Sequence, residues 1–252
     1  MTKPVQRQRI VALGALSAMC KATLRLYAEE GARIVVAGRG EDRLKALATD
    51  LEARGAHQVV TWDTDLTGCA DTRAELARMT SAIGGLDSVL LFYGTLGDNA
   101  KAEKDMAEAR SILHTNFTSA AEWCLAAADL IESQSHGSLV VVGSVAGDRG
   151  RQSNYIYGAA KGGLGLLVQG IAHRLVRCGG NAVVIKPGFV DTPMTAGIQK
   201  GGPLWAKPEA VAPIIKRAAT RHSPVVYAPG FWRWIMLAIR AVPTPVFHKT
   251  KL

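Results

Sequence analysis

Acidic residues run out early in this chain. Glu209 is the last of them, while Lys216, Arg217, Arg221, Arg233, Arg240, Lys249 and Lys251 follow it. The net charge of +9 is therefore mostly a property of the C-terminal tail, not of a groove or recognition helix, which argues against nucleic acid as a partner. Cysteine is scarce too. Cys20, Cys69, Cys124 and Cys178 are scattered, with no C-x-x-C pair and no zinc spacing. No metal site is expected, and the four read as reduced packing residues of a cytoplasmic protein. Long apolar runs are missing: the stretch Phe231 to Val242 is shorter than the roughly 20 residues that a bilayer requires. Repeats, low-complexity segments and linkers are absent as well, so residues 1–252 are expected to form one domain, with 229–252 as an apolar and basic tail.

The N-terminus imitates a leader, with basic MTKPVQRQR ahead of apolar IVALGALSAMC. Met19 stands before Cys20 where a small residue would be needed, and the apolar stretch is short. It reads better as a first buried strand running into a glycine turn.

What is present is a regular alternation. Apolar runs at Ile10–Leu13, Arg33–Ala37, Gln58–Trp62, Ser88–Phe92, Leu139–Val142, Ala182–Ile185 and Pro224–Tyr227 predict strands. Helical periodicity predicts helices over Ala18–Glu30, Arg43–Arg54, Thr72–Ile83, a long Glu103–Ile131, Tyr155–Cys178 and Pro208–Arg221. Short apolar strands separated by helices indicate a doubly wound parallel α/β sheet of about seven strands, covered on both faces, with a ligand crevice at its carboxyl edge.

The chemistry gathers between Val140 and Leu167. A buried run ends in Gly143-Ser144, a polar loop follows, and Tyr157-Gly-Ala-Ala-Lys161 opens a small-residue helix. Positions i and i+4 share a helix face, so Tyr157 and Lys161 point into one space, with Ser144 delivered from the preceding strand. An ammonium beside a phenol favours the phenolate, so Lys161 is expected to lower the Tyr157 pKa. Such a phenol can move a proton to or from a carbonyl oxygen that a serine hydroxyl holds. Tyr155 lacks the cation, since its i+4 partner is Ala159.

With this strand–Ser–loop–Tyr-x-x-x-Lys order the chain resembles the short-chain dehydrogenase/reductase family, from about Ile10 to Tyr227. The resemblance implies a Rossmann fold, a nicotinamide dinucleotide and hydride transfer. It makes Ser144, Tyr157 and Lys161 catalytic and gives Asn116 a proton-relay water. Gly14-Ala-Leu-Ser-Ala-Met-Cys20 stands at the family's glycine loop, with Ala18 and Cys20 replacing two glycines. Gly14, Leu16, Ser17, Ala18 and Met19 would then face the pyrophosphate. Asp65 and Leu66 would meet the adenine, with Asp63 a competitor for that place. Tyr93 and Gly94 stand in for the family's N-N-A-G wall, of which only the glycine is kept. Pro187, Gly188, Val190 and Thr192 match the segment that seats the nicotinamide, and Tyr157 and Lys161 would hold its ribose. Gly38 carries no carboxylate and Arg39 offers a guanidinium fork for a 2′-phosphate, so NADP(H) is preferred over NAD(H).

The tail mixes aromatic, apolar and basic residues, which suits either a helix lying in a membrane interface or one packed on protein. As a helix it groups Phe231, Trp234, Ile235 and Ala238. With Phe92-Tyr93-Gly94-Thr-Leu-Gly97 and the Ala146–Arg149 loop, it is similar to the keto-reductase partners of decaprenylphosphoryl-ribose epimerases. That similarity implies a lipid-linked 2-keto sugar as substrate, at the inner face of a membrane. A soluble ketone, acyl or steroid-type reductase is the alternative within the class, and a non-catalytic dinucleotide-binding scaffold is the alternative outside it. The segment from Thr195 to Pro208 is expected to be the mobile specificity region, with Trp205 as its anchor. A homodimer or homotetramer through the helices at Glu103–Ile131 and Tyr155–Cys178 is implied by the family, and Gly158–Gly165 would suit that close packing.

Overall fold

A computed structural model describes residues 7–197 and 199–250. Short runs of Val, Ile, Leu and Ala form its strands: β1 (Arg9–Leu13), β2 (Arg33–Gly38), β3 (Gln58–Asp63), β4 (Ser88–Leu91), β5 (Ser138–Val142) and β6 (Asn181–Pro187). Two-residue strands β7 (Phe189–Val190) and β8 (Trp205–Ala206) pair with each other, and β9 (Val225–Ala228) completes the main sheet. That sheet has seven parallel strands in the order β3-β2-β1-β4-β5-β6-β9. The order reverses between β1 and β4, and such a reversal opens a crevice at the strands' carboxyl ends.

Helices α1 (Ala18–Ala28), α2 (Glu41–Ala53) and α8 (Pro208–Ala218) cover one face. There Cys20, Leu24, Tyr27, Leu44 and Ile215 pack with Ile10 and Ala12. The opposite face carries α3 (Thr72–Ala82), α6 (Ser119–Gln134) and α7 (Tyr155–Leu175), with Met79, Trp123, Leu164 and Val168 against Val11 and Leu13. Alternate residues of one strand thus feed two cores, which is why the strands read as unbroken apolar runs.

One expectation needs correction. The long helix over Glu103–Ile131 begins later, at α5 (Met106–Leu113), with a separate short α4 (Asn99–Ala102) ahead of it, and a π-helical turn at His114–Thr118 interrupts it before α6. Asp98 caps α4 and Asp105 caps α5, so the helix starts at Asp105 and not at Glu103. The Thr195–Pro208 segment, of which Ile198 lies outside the described residues, is anchored at its two ends. Thr195 Oγ1 donates to the Val190 carbonyl at 2.7 Å, and Trp205 stacks on Phe189 with ring centres 5.2 Å apart.

The tail is helical. It forms α9 (Trp232–Ala241) and α10 (Thr244–Phe247). Its packed face is Trp232 and Met236, flanked by Ile235 and Ile239 and set against Val145, Phe189 and Tyr227. Phe231 and Trp234, on the helix side expected to group them with Ile235, are exposed. Trp232 is buried over Gly188, where a Cβ would overlap its ring.

Candidate active site

The cleft at the β1/β4 reversal has a volume of about 450 Å³ and runs from the end of β2 to the loops after β5 and β6. Its floor is a tight turn. Gly14 has φ +82°, and a Cβ there would sit 2.6 Å from the Tyr93 nitrogen, so side chain and conformation are both excluded. The Gly14 and Ala15 amides both bond the Ala37 carbonyl, at 2.9 and 3.0 Å. The first amides of α1 follow without a side-chain cap from Ser17, and Leu16, Ser17, Ala18 and Met19 line the cleft there. Open N–H groups at the start of an eleven-residue helix suit a pyrophosphate. Cys20 turns away and is fully buried between α1 and the sheet, so it fills the place of the missing glycine without obstructing the loop.

At the β2 end, Arg39 and Arg43 line the cleft. Arg43 Nη2 donates to the Arg39 carbonyl at 3.0 Å, which binds the first turn of α2 to the loop. Asp63 is excluded from the lining and accepts from the Gly40 amide at 2.9 Å, fixing the loop that leads from Arg39 into α2. Asp65 and Leu66 do line the cleft. Thr67 donates to Asp65 Oδ1 through its amide (3.0 Å) and its hydroxyl (2.8 Å), and these bonds hold the carboxyl below its usual range. The Leu66 carbonyl is fixed by Trp123 Nε1 at 2.8 Å. Tyr93 and Gly94 form the β4 wall, with the Tyr93 hydroxyl 3.1 Å from Ser119 Oγ. Pro187, Gly188, Val190 and Thr192 line the opposite end.

Ser144, Tyr157 and Lys161 meet at this far end. A short 3₁₀ turn, Val145–Asp148, brings Ser144 against α7, and the small residues of both segments allow it. A Cβ at Gly147 would lie 2.6 Å from the Gly162 nitrogen, and one at Gly158 would lie 2.9 Å from the Ala146 carbonyl. Gly158 and Gly162 therefore seat the turn against α7 within one chain. Ser144 Oγ accepts from the Ala146 amide at 3.0 Å. Lys161 is 4% exposed and donates to the Val142 carbonyl at 3.1 Å. Burial brings its pKa down to about 8.

The proton chemistry differs from the expectation in one respect. Burial pushes the Tyr157 phenol up, and Ser144, not Lys161, is the group that opposes the shift. The Lys161 ammonium is engaged by Val142. Asn116 does not reach the cleft surface. It is fully buried in the π-helical turn, where Nδ2 donates to the Thr95 (2.8 Å) and Ile112 (2.9 Å) carbonyls. Its Oδ1 accepts from the Thr95 amide at 3.1 Å, so it clamps the loop just beyond Gly94.

Several lining residues escaped the sequence reading: Arg43, Thr115, Arg151, Asn154, Phe189 and Met194. Arg43 was detectable as the i+4 neighbour of Arg39. Arg151 and Asn154 sit in the loop between Ser144 and Tyr157, and the others had no distinguishing pattern. All four cysteines are free thiols, and no cluster of three or more metal-ligating side chains occurs among the described residues.

Fold and cleft define a dinucleotide-dependent oxidoreductase, and the comparisons with known proteins agree. The chain belongs to the short-chain dehydrogenase family, whose sequence profile matches residues 8–202. An uncharacterized oxidoreductase of Mycobacterium tuberculosis is 36% identical over 219 residues, 87% of this chain and 88% of the relative. Another from Streptomyces coelicolor is 36% identical over 242 residues, 95% of this chain and 94% of its own length. A short-chain dehydrogenase from Sphingobium yanoikuyae in complex with NADPH superposes with a TM-score of 0.80 at 23% identity, covering 92% of each chain. That last likeness is one of fold.

Proposed function

We propose that this oxidoreductase is an NADP(H)-dependent carbonyl reductase in which Tyr157 protonates the substrate oxygen. The observation that carries the reading is the meeting of Ser144, Tyr157 and Lys161 at one end of a cleft whose other end presents Arg39 and Arg43. The nicotinamide supplies hydride when bound. The open amides at the start of α1, Asp65, Leu66, Tyr93, Gly94, Pro187, Gly188, Val190 and Thr192 would hold the cofactor, and Lys161 its ribose. Ser144 would hold the carbonyl, and Asn116 would support proton resupply behind Lys161. Burial keeps Tyr157 protonated at neutral pH, the form needed for reduction. Two arginines, with no carboxylate carried at Gly38 itself, favour a 2′-phosphate, and the Sphingobium relative is an NADPH complex.

The proposed substrate is a lipid-linked 2-keto sugar, met from the cytoplasmic side of a membrane. No helix among the described residues is long and apolar enough to cross one. The outer face of α9 supports surface contact instead. Phe231 is 40% exposed and Trp234 66%, beside Arg233 and Arg240, and this helix sits at the cleft's rim against Val145 and Phe189. Exposed Leu166 on α7, with exposed Val176 just past its end, supports a homo-oligomer through that helix. The packing of Trp232 and Met236 favours a second reading, a soluble reductase of small ketones whose tail is structural.

Titration with NADPH and NADH, followed by nicotinamide fluorescence, tests the cofactor assignment. NADPH should bind at least tenfold more tightly, and equal affinities would refute the role of the arginines. Turnover of a polyprenyl-phosphate keto-sugar supports the first substrate reading, and turnover of small ketones alone supports the second. Dinucleotide binding without any turnover points to a scaffold.

A further inference from the structure

The loop between Ser144 and Tyr157 carries one acid and two arginines, and among the described residues only one of these charges is left without a protein partner. Asp148 is saturated. Lys186 Nζ meets Oδ1, and the Tyr227 hydroxyl donates to Oδ2 at 2.7 Å. Arg149 is committed as well. It donates to the Ile239 and Val242 carbonyls at the end of α9 and stacks on Phe247, 3.7 Å from the ring centre. Arg151 turns the other way and lines the cleft. Its Nη2 finds only the weak sulfur acceptor of Met236 at 3.5 Å, and its Nε is buried with no partner. Asn154, also in the lining, has its Oδ1 buried without a partner.

A guanidinium in such a place is costly unless an anion meets it. Burial already draws the Arg151 pKa below its usual value, with Asp148 alone opposing. The cleft supplies no counter-charge nearby. Asp65 is the only carboxylate among its described lining residues, and it lies at the opposite end beside Arg39. Arg151 and Lys161 make the catalytic end positive.

We infer that Arg151 is a specificity-determining residue that binds an oxyanion, phosphate or carboxylate, on the carbonyl substrate. Asn154 beside it accepts from a substrate hydroxyl. This rests on the reductase reading and narrows it to anionic, hydroxylated carbonyl compounds. A planar guanidinium suits an oxyanion through paired N–H donors, which a lysine cannot reproduce.

The test compares dihydroxyacetone phosphate with dihydroxyacetone, and 4-oxopentanoate with its methyl ester, in wild type, Arg151→Gln and Arg151→Lys. In wild type, kcat/KM should favour the charged member of at least one pair by tenfold or more. A preference confined to the first pair identifies phosphate, and one confined to the second identifies carboxylate. In Arg151→Gln the charged-to-neutral ratio should fall to about one, with Arg151→Lys intermediate and the NADPH dissociation constant unaltered. An equal loss on both members, or weakened NADPH binding, would overturn the inference. A thermal-shift titration of the NADPH complex with inorganic phosphate and acetate provides a readout free of turnover. Stabilisation by either anion that disappears in Arg151→Gln upholds the site even if no ketone is reduced, and then the reductase reading fails alone. Reduction of neutral ketones with no charge preference and no anion stabilisation sinks the inference and leaves the reductase intact.

Discussion

Lys161 carries its ammonium into a place where the Val142 carbonyl meets it at 3.1 Å and burial lowers its pKa to about 8. The folded value lies below the unfolded one, so the unfolded chain binds more protons between the two, and stability rises with pH across that window. The cost of burying the charge is complete below about pH 8 and is gone once pH exceeds the ordinary lysine value. Lys161→Met should therefore gain in melting temperature relative to wild type more at pH 7 than at pH 10, while losing turnover; a pH-independent difference would contradict this. Tyr157, Lys161 and Ser144 were readable because a four-residue spacing and a strand end fix where side chains point. Arg151 was not, since its significance lies in which neighbours are already satisfied, and that requires Lys186, Tyr227 and Phe247 to be placed in space. Asn116 was singled out by the family resemblance, but not its clamp on Thr95, which depends on a π-helical turn that no local pattern announces.

Among the elements, the contact between the 3₁₀ turn and α7 decides whether Ser144 reaches Tyr157 at all. Gly147→Ala places a Cβ 2.6 Å from the Gly162 nitrogen, a backbone atom that cannot swing aside. We expect about 1–3 kcal/mol of lost stability from such overpacking, together with a large fall in turnover. Gly150→Ala, with nothing within 4 Å of its added Cβ, is the control and should be nearly neutral by chemical denaturation. If both variants behave alike, the seating argument is wrong. The tail helix latches the same region from outside. Trp232 is 3% exposed and shares a cluster with Val145, so Trp232→Ala should cost about 3–5 kcal/mol locally. It should also raise proteolysis after Pro229 and lower turnover. The apolar tail pattern was visible in the sequence; the face that packs was not, because Gly188 sets it from a segment about forty residues away.

For the whole molecule, a parallel sheet of about seven strands with a crevice at its carboxyl edge followed from periodicity, since apolar runs between helices leave little choice, whereas the order of the strands came only from the structure. The charge balance is equally a property of the whole: an excess of cations past Glu209 gives the outer face of α9 its basic character. Vesicles containing anionic lipid should retain the wild-type chain and release it as salt rises, whereas Trp234→Glu should abolish retention. Retention that ignores both would remove the membrane reading without touching the cleft. The cofactor end is tested by Arg39→Ala with Arg43→Ala, which should weaken NADPH binding about tenfold or more and leave NADH binding nearly as it was.

The central claim is that Tyr157 moves the proton in a site the cofactor enters independently. The most direct measurement is NADPH binding and ketone-dependent NADPH oxidation in wild type and Tyr157→Phe, side by side. We predict matching dissociation constants with turnover lower by at least about 100-fold in the variant. Turnover at the wild-type rate in Tyr157→Phe would contradict the account.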